Sequence, residues 1–64
     1  MNEFFIYVLG RAEPIQLNQG DYDELTRCVN QDLRYFSFIF ESRTRFKINI
    51  NSITMIEERP KMLF

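Results

Sequence analysis

The segment Glu3–Leu9 (EFFIYVL) limits the possible folds more than any other part of this sequence. Its aromatic and branched residues, followed by Gly10, predict a β-strand that ends in a turn. Side chains of a strand alternate between its two faces. Both faces of this strand are apolar, with Phe4, Ile6 and Val8 on one and Phe5, Tyr7 and Leu9 on the other. A strand of this composition is normally covered on both sides, so the fold must cover two faces of one sheet.

A single helix is predicted, from about Tyr22 to Asn30. Four apolar residues have helical spacing in this segment: Tyr22, Leu25, Cys28 and Val29. Asp21 precedes them and Glu24 follows it by three residues, which is the arrangement of a capping box. A helix of this length covers only one face of a five-stranded sheet.

The other elements are predicted to be strands, because their apolar residues alternate or follow a turn signal. The four further strands are Ile15–Leu17, Tyr35–Phe40, Arg45–Ile50 and Ile53–Ile56. The predicted fold class is α+β, with the order ββαβββ and a small curved antiparallel sheet or partial barrel that carries the helix. Residues 1–64 are expected to form one domain, with residues 59–64 as a C-terminal tail.

The spacing of the last three strands predicts how they pair. If Asn51 and Ser52 form a two-residue hairpin loop, Ile50 faces Ile53 and Ile48 faces Met55. For the preceding hairpin, an odd-numbered loop that starts at Glu41 places the phenylalanines of the first strand beside the apolar residues of the second. A four-residue loop would instead place those phenylalanines beside basic residues, as on a single-stranded nucleic-acid platform. The odd loop is favoured, because a one-residue slip moves a whole apolar set out of the core.

The predicted core contains these residues: Phe4, Ile6, Val8, Ile15, Leu17, Leu25, Val29, Phe36, Phe38, Phe46, Ile48, Ile50, Ile53 and Met55.

The second face of the first strand needs a cover from some other source. The sheet can close into a small barrel, the tail can fold over it, or a second chain can bind it. A chain of 64 residues has a marginal core, and it carries one cysteine and no histidine to form disulfides or histidine-bearing metal sites. We therefore expect a homo-oligomer, most simply a dimer, and no cofactor or metal. The expected contact residues are Phe5, Tyr7, Leu9, Tyr35, Ile39 and Ile56.

The sequence contains no recognisable catalytic set. Its serines have no histidine to activate them, and its glycines do not form a phosphate-binding loop. The lone Cys28 is expected to be a small core residue in a protein of the reducing cytoplasm. The early apolar run is too short and lacks the basic flank for a signal peptide or a membrane span. The protein is thus expected not to be an enzyme.

The charges are distributed unevenly along the chain, although the net charge is only −1. Residues 1–33 carry six acidic and two basic side chains, whereas residues 34–47 carry four basic and one acidic. The basic hairpin can be a solvated face that protects a strand edge, or it can bind an anion such as RNA, DNA or an acidic protein. The nucleic-acid hypothesis would use Arg34, Tyr35, Arg43, Arg45 and Lys47.

The leading functional hypothesis is a non-catalytic protein-binding regulator or inhibitor. The predicted strands have more apolar surface than one helix can cover. The C-terminal tail also ends in apolar residues, Met62, Leu63 and Phe64. This tail can fold over its own sheet, or Leu63 and Phe64 can enter a pocket on a partner. A single-stranded nucleic-acid-binding β-domain is the alternative.

The element order and the segment Ile50-Asn51-Ser52-Ile53-Thr54-Met55-Ile56-Glu57-Glu58 resemble small uncharacterised proteins of Gram-positive bacteria and their phages. The resemblance covers mainly the last third of the chain. It implies a small accessory or phage-encoded protein that acts by binding, and it transfers no site residue.

Overall fold

The computed structural model of the chain describes residues 2–40 and 43–61, and for Phe40 it describes the backbone alone. The elements in chain order are β1 (Asn2–Val8), β2 (Ile15–Leu17), α1 (Gln19–Asn30), β3 (Tyr35–Phe40), β4 (Thr44–Asn49), a one-turn 3-10 helix (Ile50–Ser52) and β5 (Ile53–Pro60). This is the predicted α+β class with the order ββαβββ.

The strands form two antiparallel sheets where one curved sheet was expected, and neither sheet closes into a barrel. The first sheet has the order β2-β1-β5, and the second is the β3–β4 hairpin. One buried cluster joins the inner face of the first sheet to the helix and the hairpin. The helix and the hairpin therefore cover that inner face together.

The core is built from apolar residues of β1, β2, α1 and β3. Its buried members are Phe4, Ile6, Ile15, Leu17, Leu25, Cys28, Phe36 and Phe38. The rings of Phe4 and Tyr22 stack with centroids 4.0 Å apart, which joins the helix to the central strand. The burial of Cys28 confirms the prediction that it is a core residue. Three predicted core residues are instead exposed: Val29, Phe46 and Met55.

The pairing of β5 differs from the predicted hairpin with β4. Residues 50–52 form a turn of 3-10 helix, in which the Asn49 side chain accepts from the backbone N–H of Asn51 at 2.8 Å. The Ser52 hydroxyl donates to the carbonyl of Asn49 at 2.6 Å. This turn directs the chain away from β4, and β5 then pairs with β1 along its length, with Ile6 opposite Ile56. Neither Asn51 nor Ser52 is a glycine, and a two-residue type I′ loop favours glycine because it needs positive φ angles.

The β3–β4 hairpin has the odd loop that the sequence favours. Phe40 pairs with Thr44, so three residues connect the strands. Phe36 lies opposite Ile48 and Phe38 opposite Phe46. The apolar residues of both strands consequently face the core, and the four-residue loop that would set them beside basic residues is wrong.

The helix starts earlier than predicted. Asn18 is the N-cap, and its side-chain oxygen accepts from the backbone N–H of Asp21 at 2.7 Å. Asp21 is therefore inside the first turn and does not cap the helix. Asparagine is among the best N-cap residues, and Gly20 is accommodated in the first turn.

The last strand is longer than predicted, because Glu57–Pro60 continues the pairing with the start of β1. Pro60 is the last residue of a strand at the sheet edge, where a missing N–H costs little. The first two residues of the predicted tail thus belong to β5. Its last three residues, including Leu63 and Phe64, lie outside the described residues.

Candidate binding surfaces

The inner face of β5 is apolar at Ile56 but is only partly covered there. Ile56 pairs with Ile6 and shares its face of the sheet, yet Ile6 is completely buried and Ile56 is 45% exposed. The difference arises because the helix and the hairpin cover β1 and β2 but leave β5, at the edge, open.

Beside this strand lies an open apolar groove with a volume of about 260 Å³, between β5, the 3-10 turn and the end of α1. Its lining consists of Val29, Ile50, Ile53, Thr54, Met55 and Ile56, called here the β5 surface. Val29 and Met55 are 48% and 50% exposed. Only the hydroxyl of Thr54 adds a polar side-chain group, and it donates to the carbonyl of Tyr7 at 3.2 Å. The side chains that line the groove are therefore mostly apolar.

The backbone of β5 is paired along one edge. Its neighbour in the sheet is β1, and among the described residues no strand pairs with the opposite edge. An unpaired edge presents free N–H and C=O groups to which another extended chain can bind. The β5 surface thus combines a hydrogen-bonding edge with an adjacent apolar groove.

On the outer face of the first sheet, Phe5 and Tyr7 are partly covered by side chains of the same sheet. The guanidinium carbon of Arg59 lies 4.4 Å from the centre of the Phe5 ring, and Arg59 pairs with Glu57 at 3.0 Å. The hydroxyl of Tyr7 donates to the same Glu57 carboxylate at 2.8 Å. Hydrogen bonds from Arg59 and Tyr7 lower the pKa of Glu57, and the carboxylate raises the pKa of Arg59. Cover by long polar side chains of the same sheet was not among the predicted covers.

The six residues expected at a dimer contact lie on different surfaces. Phe5 and Tyr7 are half-buried on the outer face of β1, and Leu9 is 74% exposed beyond its end. Tyr35 and Ile39 point outward from the hairpin, whereas Ile56 lies on the inner face of β5. The structure does not bring these residues together into one patch.

The residues of the nucleic-acid hypothesis are only partly brought together. Tyr35, Arg45 and Lys47 share the outer face of the hairpin, and Arg43 directly precedes β4. The Nζ atom of Lys47 lies 4.8 Å from the centre of the Tyr35 ring. Arg34 precedes β3, and its carbonyl accepts from the backbone N–H of Ile50 at 2.8 Å.

Sequence reasoning missed the role of Val29 and Met55, because it assigned both to the core. The helical spacing of Leu25 and Cys28 does place Val29 at the margin of the buried face. No comparable signal exists for Met55, whose exposure depends on the pairing of β5 with β1.

In the described part of the chain, no three side chains of cysteine, aspartate or glutamate come together to hold a metal ion. The same residues include no helix that is long and apolar enough to cross a membrane.

Comparisons of the chain with protein-family models, with curated proteins and with solved structures found no match.

Proposed function

We propose that this protein is a non-catalytic binding module, a small regulator or inhibitor that acts by occupying a surface on another protein. The observation that carries the proposal is the β5 surface, where an apolar groove adjoins an unpaired strand edge. An extended segment of the partner would add a strand to β5, as in β-augmentation. Its apolar side chains would enter the groove beside Val29 and Ile56.

The exposure of these side chains supports a binding role. Isolated exposed apolar residues are common in soluble proteins, whereas large contiguous apolar patches mark interaction sites. Val29, Met55 and Ile56 line the same groove and are each close to half exposed. The docking of a partner would remove this apolar area from water, which is the main favourable contribution to most protein associations.

The chemistry of the chain supports a non-catalytic role. No histidine is present to serve as a base, and the single thiol, Cys28, is buried in the core. That thiol is also consistent with a reducing compartment, so we place the protein in the cytoplasm. The resemblance of the sequence to small uncharacterised proteins of Gram-positive bacteria and their phages implies the same kind of action, by binding.

The experiment is a pull-down from the native host with matched baits. Ile56→Lys and Ile39→Lys make the same substitution at similarly exposed isoleucines, of which only Ile56 belongs to the β5 surface. We expect a partner that is retained by the wild-type protein and by Ile39→Lys but lost with Ile56→Lys. Circular dichroism should show that both variants are folded.

Two results would contradict the proposal. In the first, the wild-type protein retains no partner. In the second, Ile56→Lys retains the partner as well as the wild-type protein does.

A further inference from the structure

The outer face of the β3–β4 hairpin carries a row of cations. Arg45 and Lys47 are alternate residues of β4 and lie on the same face, opposite Ile39 and Ser37. Arg43 occupies the next alternate position, directly before the strand. Alternate residues of an antiparallel strand are about 6.8 Å apart, so Arg45 and Lys47 are separated by about that distance, and Arg43 adjoins them in the turn.

Among the residues that the structure describes, no ion pair involves this row. Among the described residues the two ion pairs are Arg27 with Glu24 and Arg59 with Glu57, neither of which belongs to the hairpin. The side chain of Arg45 has a long contact with the Ser37 hydroxyl, at 3.4 Å. All three cationic residues are exposed. The described part of the hairpin therefore presents positive charge to solvent, although the whole chain has a net charge of −1.

An aromatic ring adjoins the row. Tyr35 lies on the same face and is 47% exposed, and the Lys47 ammonium group is 4.8 Å from its ring centre. Ile39, 52% exposed, adds an apolar surface opposite Arg45. The face thus combines exposed cations with an aromatic ring.

We propose that this face is a second binding site, separate from the β5 surface, which holds a single-stranded nucleic acid. The spacing of Arg45 and Lys47 is close to the distance between successive phosphates of an extended strand, so each of these cations would meet one phosphate. A base would stack on Tyr35, since aromatic side chains and basic grooves are the shared features of single-strand binding sites. Phe36 and Phe38 take no part in this site, because both face the core.

An acidic peptide is the competing ligand, because the glutamates of an extended chain can have the same spacing. An acidic peptide has no group that needs an exposed tyrosine ring beside the cations, whereas a nucleic acid has bases that stack on such a ring. The presence of Tyr35 on this face favours the nucleic acid.

The test is fluorescence anisotropy with a labelled oligothymidylate of about 20 nucleotides. Each phosphate contact in a single strand contributes a slope of about −0.7 to the dependence of log affinity on log salt concentration. Three contacts give a slope of about −2, so the affinity should fall about 20-fold between 50 and 200 mM salt. A poly-glutamate peptide of similar length serves as the competing ligand.

Three variants separate the contributions. The double variant Arg45→Gln/Lys47→Gln should weaken binding and reduce the salt effect to about threefold, because one contact remains. Arg27→Gln/Lys61→Gln changes the net charge equally at other sites and should retain the 20-fold effect. Tyr35→Leu should weaken binding about fivefold or more through the loss of stacking, with no change in the slope.

The possible failures have distinct meanings. Absence of oligonucleotide binding at 50 mM salt overturns the proposal and leaves the cations as protection of an exposed strand edge. Tighter binding of poly-glutamate than of the oligonucleotide also overturns it, as does an equal loss of affinity in the two charge variants. None of these results bears on the β5 surface.

Discussion

Phe38 and Phe46 face each other across the β3–β4 hairpin, with ring centroids 5.9 Å apart, but their burial differs greatly. Phe38 is 3% exposed within the core, whereas Phe46 is 39% exposed at its margin. The sequence pattern does not predict this difference in burial, because both residues are phenylalanines on the same face of the hairpin. Their difference in burial determines how much each contributes to stability.

Replacement of Phe38 by alanine should therefore cost about 3 to 5 kcal/mol, through lost burial and the cavity left behind. A domain of this size has little stability beyond that amount, so the variant should lose its cooperative urea transition. Phe46→Ala is the matched control and should keep a cooperative transition at a lower urea concentration. Equal effects of the two substitutions would contradict this assignment.

Glu57 makes the stability of the protein depend on pH, because Arg59 and Tyr7 both donate hydrogen bonds to its carboxylate and lower its pKa. A carboxyl whose pKa is lower in the folded state binds protons more weakly there than in the unfolded chain. Its contribution to stability is complete above the ordinary carboxyl pKa of 4.5. The contribution is lost as the pH falls through the lowered value.

We expect Glu57→Gln to melt below the wild-type temperature at neutral pH, and the difference to shrink as the pH falls below 4.5. Thermal unfolding followed by circular dichroism between neutral and acidic pH measures this difference. Glu58→Gln serves as the control, since Glu58 has no described ion pair. A difference for Glu57→Gln that does not change with pH would exclude a role of its charge.

At the scale of the elements, the end of the helix is well defined. The backbone N–H of Asp32 donates to the carbonyl of Val29 at 3.1 Å, and that of Leu33 to the carbonyl of Cys28 at 2.9 Å. This is the hydrogen-bond pattern of a Schellman motif. Its left-handed position is occupied by Asp32, with a φ angle of 56°, where glycine is the usual residue.

Asp32→Gly should accordingly raise the free energy of unfolding by about 0.5 to 1 kcal/mol. Relief of the left-handed strain is worth about 1 to 2 kcal/mol, and the greater freedom of glycine in the unfolded chain offsets part of it. Asp32→Ala removes the same charge but keeps a side chain at positive φ, so it should not stabilise the protein. Urea unfolding of both variants separates the two explanations, and equal stabilisation would point to the charge.

At the scale of the whole molecule, the position of β5 links the fold to its proposed interactions. Pairing with β1 makes β5 an edge strand of eight residues, with Met55 and Ile56 each close to half exposed. Without a partner, a second copy can bind such an edge and bury the same apolar side chains. A two-fold dimer needs only one self-complementary surface.

We therefore expect the purified protein to self-associate through the β5 surface. In sedimentation equilibrium its apparent mass should rise with concentration above the 7.8 kDa of one chain. Ile56→Lys should reduce this rise, because a lysine on an edge strand opposes pairing, whereas Ile39→Lys should not. A constant mass of 7.8 kDa for the wild-type protein would contradict the prediction.

The sequence by itself determined the element types, most of their bounds and the register of the β3–β4 hairpin. These depend on local patterns: the alternation of Tyr35–Phe40, the helical spacing of Leu25 and Cys28, and the position of Gly10. The core face of the hairpin was also predictable, because only one register buries both phenylalanines Phe36 and Phe38.

Only the tertiary structure decided which strand β5 joins, and with it the location of the candidate binding surface. Pairing with β4 and pairing with β1 are both compatible with the alternation in Ile53–Ile56, so local pattern does not distinguish them. The capped 3-10 turn and the long match between β1 and β5 favour β1. That pairing leaves Ile56 and Val29 open to solvent, because burial depends on which elements lie above a strand and not on its own sequence.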